Sequence, residues 1–438
     1  MLRLSHKALA QEPQEQVMQN DFPMVRQVPF MGVIWVVNEA MKLGFWNGNP
    51  EWCNLGQGQP EVGELEGAPE RISSLDIQPG DHAYGPVGGT LEARQAVADM
   101  YNRLFRKGMK SQYTADNVSI ASGGRLALTR LFAILADKSR ILYRNPDYTA
   151  YEDYLYYQRL HTTPVCEYAT AENGFAIPAA RFEELAASPE GLDSFVFSNP
   201  CNPTGAVIQG EELASYLETA RRHKVLLGID EFYSHFMYNA DGSPAAGACS
   251  AASYVEDVDR DPVLIVDGMT KNQRYPGWRM GWTVGPKHCI EMLNRAASAL
   301  DGGPTMLAQR TMLEALRPER FDAEVKAVRE AFARKRAFML EKLEAMNIHP
   351  AVTPLSTFYI WASIEKLPAP LNDADTFFHA CLQKKVMTVP GRFYDIRPFR
   401  DRPQPEPLRH WVRFSYGPSF DTVKAGLERI EQVIAEHR

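Results

Sequence analysis

Short β-rich runs, each ended by turn residues and separated by stretches of helical spacing, constrain this chain most. They are "NVSIASGG" at 117, "RILYRNP" at 140, "SFVFSNP" at 194, "VLLGIDE" at 225 and "VLIVDGMTK" at 263. Helical crossovers bring successive strands into the sheet in the same direction, so the pattern predicts an α/β fold built on a mainly parallel sheet. One such helix follows "GPVGGT": Leu91, Val97, Met100, Tyr101 and Leu104 share a face, Thr90 is placed to cap it, and Glu92 sits in the favourable first turn. From Phe321 to Met346, the apolar positions Val325, Val328, Phe332, Met339, Leu343 and Met346 predict a long amphipathic helix leading from the sheet into a smaller C-terminal unit. The segment "FYDIRPFRDRPQPEPLRH", 393 to 410, has no periodicity and reads as a loop.

With 438 residues, 45% of them hydrophobic and 23% charged, the chain is long enough for a large core and two domains. A formal charge of -7 gives no general electrostatic reason to bind nucleic acid or an anionic membrane. Cys53, Cys166, Cys201, Cys249, Cys289 and Cys381 are scattered without metal-ligand spacing, so no metal site is expected and the implied compartment is reducing. The N-terminus lacks a continuous apolar signal region and no apolar run approaches a membrane span, which predicts a cytoplasmic protein.

The polar residues of interest collect just after the apolar runs, where open parallel sheets bind ligands. Asp230 in "VLLGIDEFY" is a carboxylate at the end of a buried strand and needs a cation or donors, though a capping aspartate has the same look. Lys271 in "DGMTKNQRYPGWRMGW" follows another strand, with Arg279 eight positions on between small neighbours. A lysine so placed becomes an imine-forming nucleophile if it is desolvated or surrounded by cations, and is otherwise an ordinary snorkelling side chain. "IASGGRLAL" is strand, two glycines and helix, the arrangement that offers free backbone N–H groups to a phosphate. "SNPCNPTG", 198 to 205, spends two Asn-Pro pairs and a glycine where a strand must stop.

Taken in order, N-P-x-N-P-T-G, D-E-x-Y and K-x7-R-x-G resemble the class I/II aminotransferases of the pyridoxal phosphate-dependent, aspartate aminotransferase-like superfamily, over a span from "LGQGQPEV" at 55 to "VRFSYG" at 412. The resemblance implies a seven-stranded sheet flanked by helices in a large domain over 61–315. A smaller α+β domain then forms from an N-terminal arm and segment, 1–60, and the C-terminal part, 316–438. It also implies a pyridoxal 5'-phosphate enzyme that moves an amino group from an L-amino acid to a 2-keto acid through a Schiff base on Lys271. Asp230 would face the ring nitrogen, and Asn202 and Tyr233 the phenolic oxygen. Gly123, Gly124 and Arg125 would hold the phosphate through their amides, with Thr270 and Arg279, while Tyr148 stacks on the ring. Arg413 would clamp the substrate carboxylate, near Gly58 and Asn202, and Tyr84 would reach the phosphate of a partner subunit in a homodimer.

Two positions depart from the family pattern: Gly268 stands where a phosphate-binding serine is usual, and Arg125 where Gln or Glu is common. Arg125 either compensates for the lost hydroxyl or reaches the substrate. Arg392, Arg397, Arg400, Arg402 and Arg409 lie near the expected mouth of the site, in a segment that is either a solvated loop or a substrate-recognition element. Ile34 and Trp35 in "PFMGVIWVVNEAMKLG" either touch the substrate side chain or belong to the core of an amphipathic helix. The same constellation also serves other pyridoxal phosphate chemistries, those of oxidases or hydroxylases, lyases and cyclases.

Overall fold

The computed structural model describes residues 22, 24–26 and 28–438; the arm expected over roughly the first twenty-five residues falls, for the most part, outside them. Seven strands make the central sheet: β1 (Val118–Ala121), β2 (Arg140–Asn145), β3 (Thr163–Tyr168), β4 (Ser194–Ser198), β5 (Leu226–Asp230), β6 (Val263–Gly268) and β7 (Gly281–Val284). Across the sheet they run β1-β7-β6-β5-β4-β2-β3. Only β7 is antiparallel to its neighbours, and the other pairings are parallel. Five of these strands are the runs legible in the sequence. The edge strand β3 is half-exposed and contains Pro164, and β7 is a four-residue strand starting at a glycine, so neither reads as an apolar run.

The helix Leu91–Phe105 begins as its sequence predicts, with the Thr90 hydroxyl accepting from the Ala93 amide at 3.2 Å. Val97, Met100 and Tyr101 are buried, but Leu91 is 60% exposed: it occupies the first helical position, ahead of the packed stripe that starts at Ala93. The long helix Pro318–Ala345 buries Val325, Val328, Phe332, Met339 and Leu343. It leads to a small antiparallel sheet in the order Val389–Pro390, Trp411–Ser415, Tyr359–Ser363 and His349–Pro350. Cys53–Asn54 pairs in parallel with Val386–Met387, tying the N-terminal segment to the C-terminal part.

Glycines set how closely β6, β7 and the following helix start can approach. A Cβ on Gly281 would lie 2.8 Å from the Gly124 nitrogen and 2.9 Å from the Gly123 carbonyl carbon; one on Gly268 would lie 2.5 Å from the Met280 oxygen. Main chain therefore meets main chain, and the Gly123 turn is drawn up beside the end of β6. The same contact explains why no serine stands at position 268: with these neighbours its side chain has no room. We expect Gly281→Ala to lower the thermal midpoint of unfolding by several degrees, whereas Gly277→Ala, whose added methyl meets open space, leaves it within about a degree. Equal midpoints for the two variants would contradict this packing.

Candidate active site

Parallel pairing aligns the carboxyl ends of the central strands, with Ser198 opposite Asp230 and Asp230 opposite Val266. Beyond β4 the Asn-Pro turn is pinned by its own polar groups. The Asn199 amide donates to the Asp230 carbonyl at 2.8 Å, and the Asn199 side chain exchanges hydrogen bonds with both backbone groups of Ile208, at 2.8 and 2.9 Å. The Cys201 amide donates to Ala206 O, and Gly205 turns back at φ 70 with no room for a Cβ against Pro354. Asn202 is thereby held rigidly, its amide donating to Ser198 Oγ at 3.2 Å. Ser198 Oγ in turn donates to Asp147, the residue before Tyr148, and Arg144 Nη2 donates to the same carboxylate at 2.8 Å. This buried ion pair couples the "NPDY" and "NPTG" turns, and removing one member of such a pair costs about 3–5 kcal/mol.

Asp230 is buried and, among the described residues, has no cationic hydrogen-bond partner. Its carboxylate accepts from the Phe232 amide at 3.3 Å and from the Tyr151 hydroxyl at 3.4 Å. Burial, which disfavours the charge, pushes its pKa up to about 7 despite those donors. Lys271, on the short helix Met269–Asn272 directly after β6, donates to the Gly58 carbonyl. Its ammonium is pushed down to about 7, first by desolvation and then by Arg413, with Asp230 opposing and Arg279 and Arg125 contributing. At neutral pH a substantial fraction of this amine is unprotonated.

Arg413 is 1% exposed. Its Nη1 donates to Asn202 Oδ1 at 2.9 Å and its Nη2 to the Gly56 carbonyl at 2.7 Å, while Nε is buried without a partner. Arg130, Arg144 and Arg274 meet carboxylates in the interior, whereas Arg106, equally buried, is satisfied by the carbonyls of Ser111, Ala252 and Val255. Among the described residues Arg413 forms no ion pair: it has neutral acceptors and the face of Tyr359, whose ring centroid lies 3.9 Å from the guanidinium carbon. The Tyr359 hydroxyl lies 2.8 Å from that of Tyr233.

A second concentration of positive charge lies at the start of the helix Gly124–Ala133. Gly123 sits at φ 94, and a Cβ there would fall 2.5 Å from Arg279 Nη2. Arg279 is itself left-handed at φ 53 and donates to Pro276 O, with Thr270 half-buried just before the lysine. The Gly123 amide is already used, donating to Ala121 O at 2.7 Å, which leaves the first-turn amides of Gly124 and Arg125 without intrahelical acceptors. Arg125 Nε approaches the Tyr148 hydroxyl at 3.4 Å, and neither Arg125 nor Arg279 forms an ion pair among the described residues.

Most of the expected residues thus lie together, with three qualifications. Tyr84 is wholly exposed and, among the described residues, makes no contact drawing it into this cluster. The arginine-rich segment is tied to the helix Ala150–Gln158 rather than free: Arg400 pairs with Asp153 at 3.1 Å and Arg402 with Glu152 at 2.7 Å. Trp35 is packed between Phe378 and Phe393, each 5.1 Å away, under the Arg392 guanidinium, and Ile34 is exposed. Sequence reasoning overlooked Tyr359, Tyr151, Asp147 and Gly56. Asp147 was open to discovery as a charged residue directly after the β2 strand, whereas Tyr359 lies in "STFYIWAS", which reads only as an apolar strand.

Residues 50–430 match the family described as "Aminotransferase class I and II". The chain belongs to that family. Among its curated relatives, an aspartate/prephenate aminotransferase of Thermus thermophilus is 30% identical over 385 residues, which cover 87% of this chain and 90% of the relative. An aspartate aminotransferase of Bacillus subtilis is 25% identical over 390 residues, covering 87% and 91%. The solved Thermus thermophilus aspartate aminotransferase with maleate superimposes with a TM-score of 0.75 at 25% identity, over 93% of this chain and all of that one. This aminotransferase is a pyridoxal phosphate-dependent enzyme that transfers amino groups between amino acids and keto acids.

The lowered pKa of Lys271 carries a testable sign. In the cofactor-free aminotransferase the folded state disfavours the ammonium, so its penalty is complete below about 7 and is relieved as pH rises from there to the ordinary lysine value of 10.5. Lys271→Met should therefore stabilise the cofactor-free protein most at pH 6 and progressively less toward pH 9 to 10, read from denaturant midpoints. A difference that stays constant with pH would contradict the burial of this amine.

Proposed function

We propose that Lys271, Asp230 and Tyr233 are the catalytic residues of the amino-group transfer, within a pyridoxal 5'-phosphate site built from Gly123, Gly124, Arg125, Tyr148, Asn202, Thr270 and Arg279. The observation that carries this reading is Arg413, a buried guanidinium with only neutral acceptors and an orphaned Nε, beside an amine held near neutrality. A buried cation without a counter-ion suits an anionic ligand, and a planar one suits a carboxylate. The donor set fits the cofactor as well. Two arginines without ion pairs among the described residues and free helix-start amides suit a phosphate dianion, and the buried Asp230 carboxyl, pushed up by desolvation, suits a protonated ring nitrogen. When bound, the cofactor supplies a carbonyl carbon to carry the amino group and an electron-withdrawing ring for the charge left at the substrate α-carbon.

Each side chain then has a defined task. Arg413, with Asn202 and the Gly58 segment, orients the α-carboxylate. Lys271 Nζ would take the α-proton as general base and give it back as general acid. Asp230 would lie against the ring nitrogen as its proton-holding partner, and Tyr233 and Asn202 would hold the phenolic oxygen. The substrates are an L-amino acid and a 2-keto acid. Lys271→Ala should keep the native circular dichroism spectrum and lose about 10²–10⁴-fold or more in transamination rate. Borohydride reduction of the loaded wild type should place the cofactor's mass on the Lys271 peptide; its appearance on another lysine would overturn the assignment.

We further assign the working form as a homodimer in which Tyr84 of one copy completes the phosphate site of the other. Support comes from the exposure of Tyr84 together with that of Ile77, Leu91, Leu300 and Leu307, apolar side chains that an interface would cover. The 84–88 segment also lies against 303–306: a Cβ on Gly85 would fall 2.5 Å from Met306 Sδ, and one on Gly303 2.9 Å from Val87 Cα. The domain division read from the sequence, 61–315 as the large unit and 316–438 with the N-terminal segment as the smaller, is kept as part of this proposal. The six free thiols suit a reducing cytoplasm, and among the described residues no helix is long and apolar enough to cross a membrane. Sedimentation should give twice the chain mass, and Leu91→Glu with Leu307→Glu should halve it while reducing cofactor affinity. A dissociated variant that binds cofactor as tightly as wild type would remove Tyr84 from the site.

A further inference from the structure

We propose that Tyr359 is a positioning residue that donates a hydrogen bond to Tyr233, so that the single phenolic proton of Tyr233 stays available to the ring oxygen of the cofactor. The proposal rests on the assignment of Tyr233 made above. Tyr359 and Tyr233 are both buried and their oxygens are 2.8 Å apart, so one hydroxyl proton lies between them. A phenol has one proton to give. If Tyr233 spent its own on Tyr359, it would have none for a ligand; if Tyr359 donates, Tyr233 accepts with a lone pair and its O–H remains free.

The small sheet decides the direction. Tyr359 pairs with Ser415 across the antiparallel ladder and Trp361 with Arg413, so Arg413 is the diagonal neighbour of Tyr359 on the same face. That register lays the guanidinium over the Tyr359 ring at 3.9 Å. A cation on the ring face withdraws electron density and makes this phenol the more acidic of the two, and the more acidic hydroxyl is the donor. Burial pushes both phenols up and Arg413 offsets part of this on each; Tyr233, with Tyr359 beside it, is driven well above the ordinary value, whereas Tyr359 is raised less far. Tyr359 thus joins two parts of the site, supporting the Arg413 clamp with its ring and the Tyr233 hydroxyl with its oxygen.

The test uses cofactor-loaded wild type, Tyr359→Phe, Tyr233→Phe and the double variant, each titrated by visible absorbance from pH 5 to 10. Withdrawing a hydrogen bond from the ring oxygen leaves more negative charge beside the proton held at the lysine nitrogen, so the titration midpoint rises. Tyr233→Phe should raise it, Tyr359→Phe should raise it by a smaller amount of roughly 0.3–1 pH unit, and the double variant should match Tyr233→Phe alone. Tyr359→Phe, which keeps the ring under Arg413, should leave KM for the amino acid unchanged, while Tyr359→Leu raises it about 2- to 30-fold. A midpoint shifted by Tyr233→Phe but not by Tyr359→Phe, or additive shifts in the double variant, overturns the inference and spares the site assignment. A midpoint unmoved by Tyr233→Phe overturns both.

Discussion

The buried charge of Arg413 is the constraint on which the site's architecture rests. Taking a guanidinium out of water costs several kcal/mol, and here no carboxylate among the described residues returns it. Its stabilisation comes from the Asn202 amide oxygen, the Gly56 carbonyl and the face of Tyr359. These partners belong to the turn after β4, the glycine segment near the N-terminus and the small sheet, so one cation fixes three distant stretches of chain against one another. Lys271 reaches the same glycine segment at Gly58, which places the two buried cations on a common support.

What the sequence made legible and what it concealed divide along contact range. The strand-end motifs are local: an apolar run followed by Asn-Pro turns, Asp-Glu-x-Tyr or a lysine can be read in one window, and all of them converge. The Gly56–Arg413 bond spans 357 positions and the Tyr233–Tyr359 contact 126, and neither leaves a trace in local composition. Tyr359 is hidden further because a strand buried on both faces reads as uniformly apolar. The strands β3 and β7 were obscured for a different reason, since partial exposure on one and the glycine that opens the other weaken the apolar signal that marks a central strand.

The arginine-rich segment is held both by the buried Tyr394 and Ile396 and by ion pairs along its length. Arg400 and Arg402 reach Asp153 and Glu152 on the helix that follows Tyr148, and Arg397 pairs with Asp395, itself bonded to Asn145 at 2.7 Å. Part-exposed pairs contribute little singly, yet here they share neighbours as a network. Arg392, whose carbonyl accepts from Arg402, lies over Trp35 in the helix Gly32–Met41, so that helix packs against the loop.

The contact of Gly268, Gly281 and Gly124 is made of main chain, and that bears on selectivity. A floor shaped by peptide atoms offers a ligand no side chain, and at Gly268 even the serine usual in the family is missing. Differences in what such a site accepts must then arise in its walls, where side chains rather than main chain face the ligand.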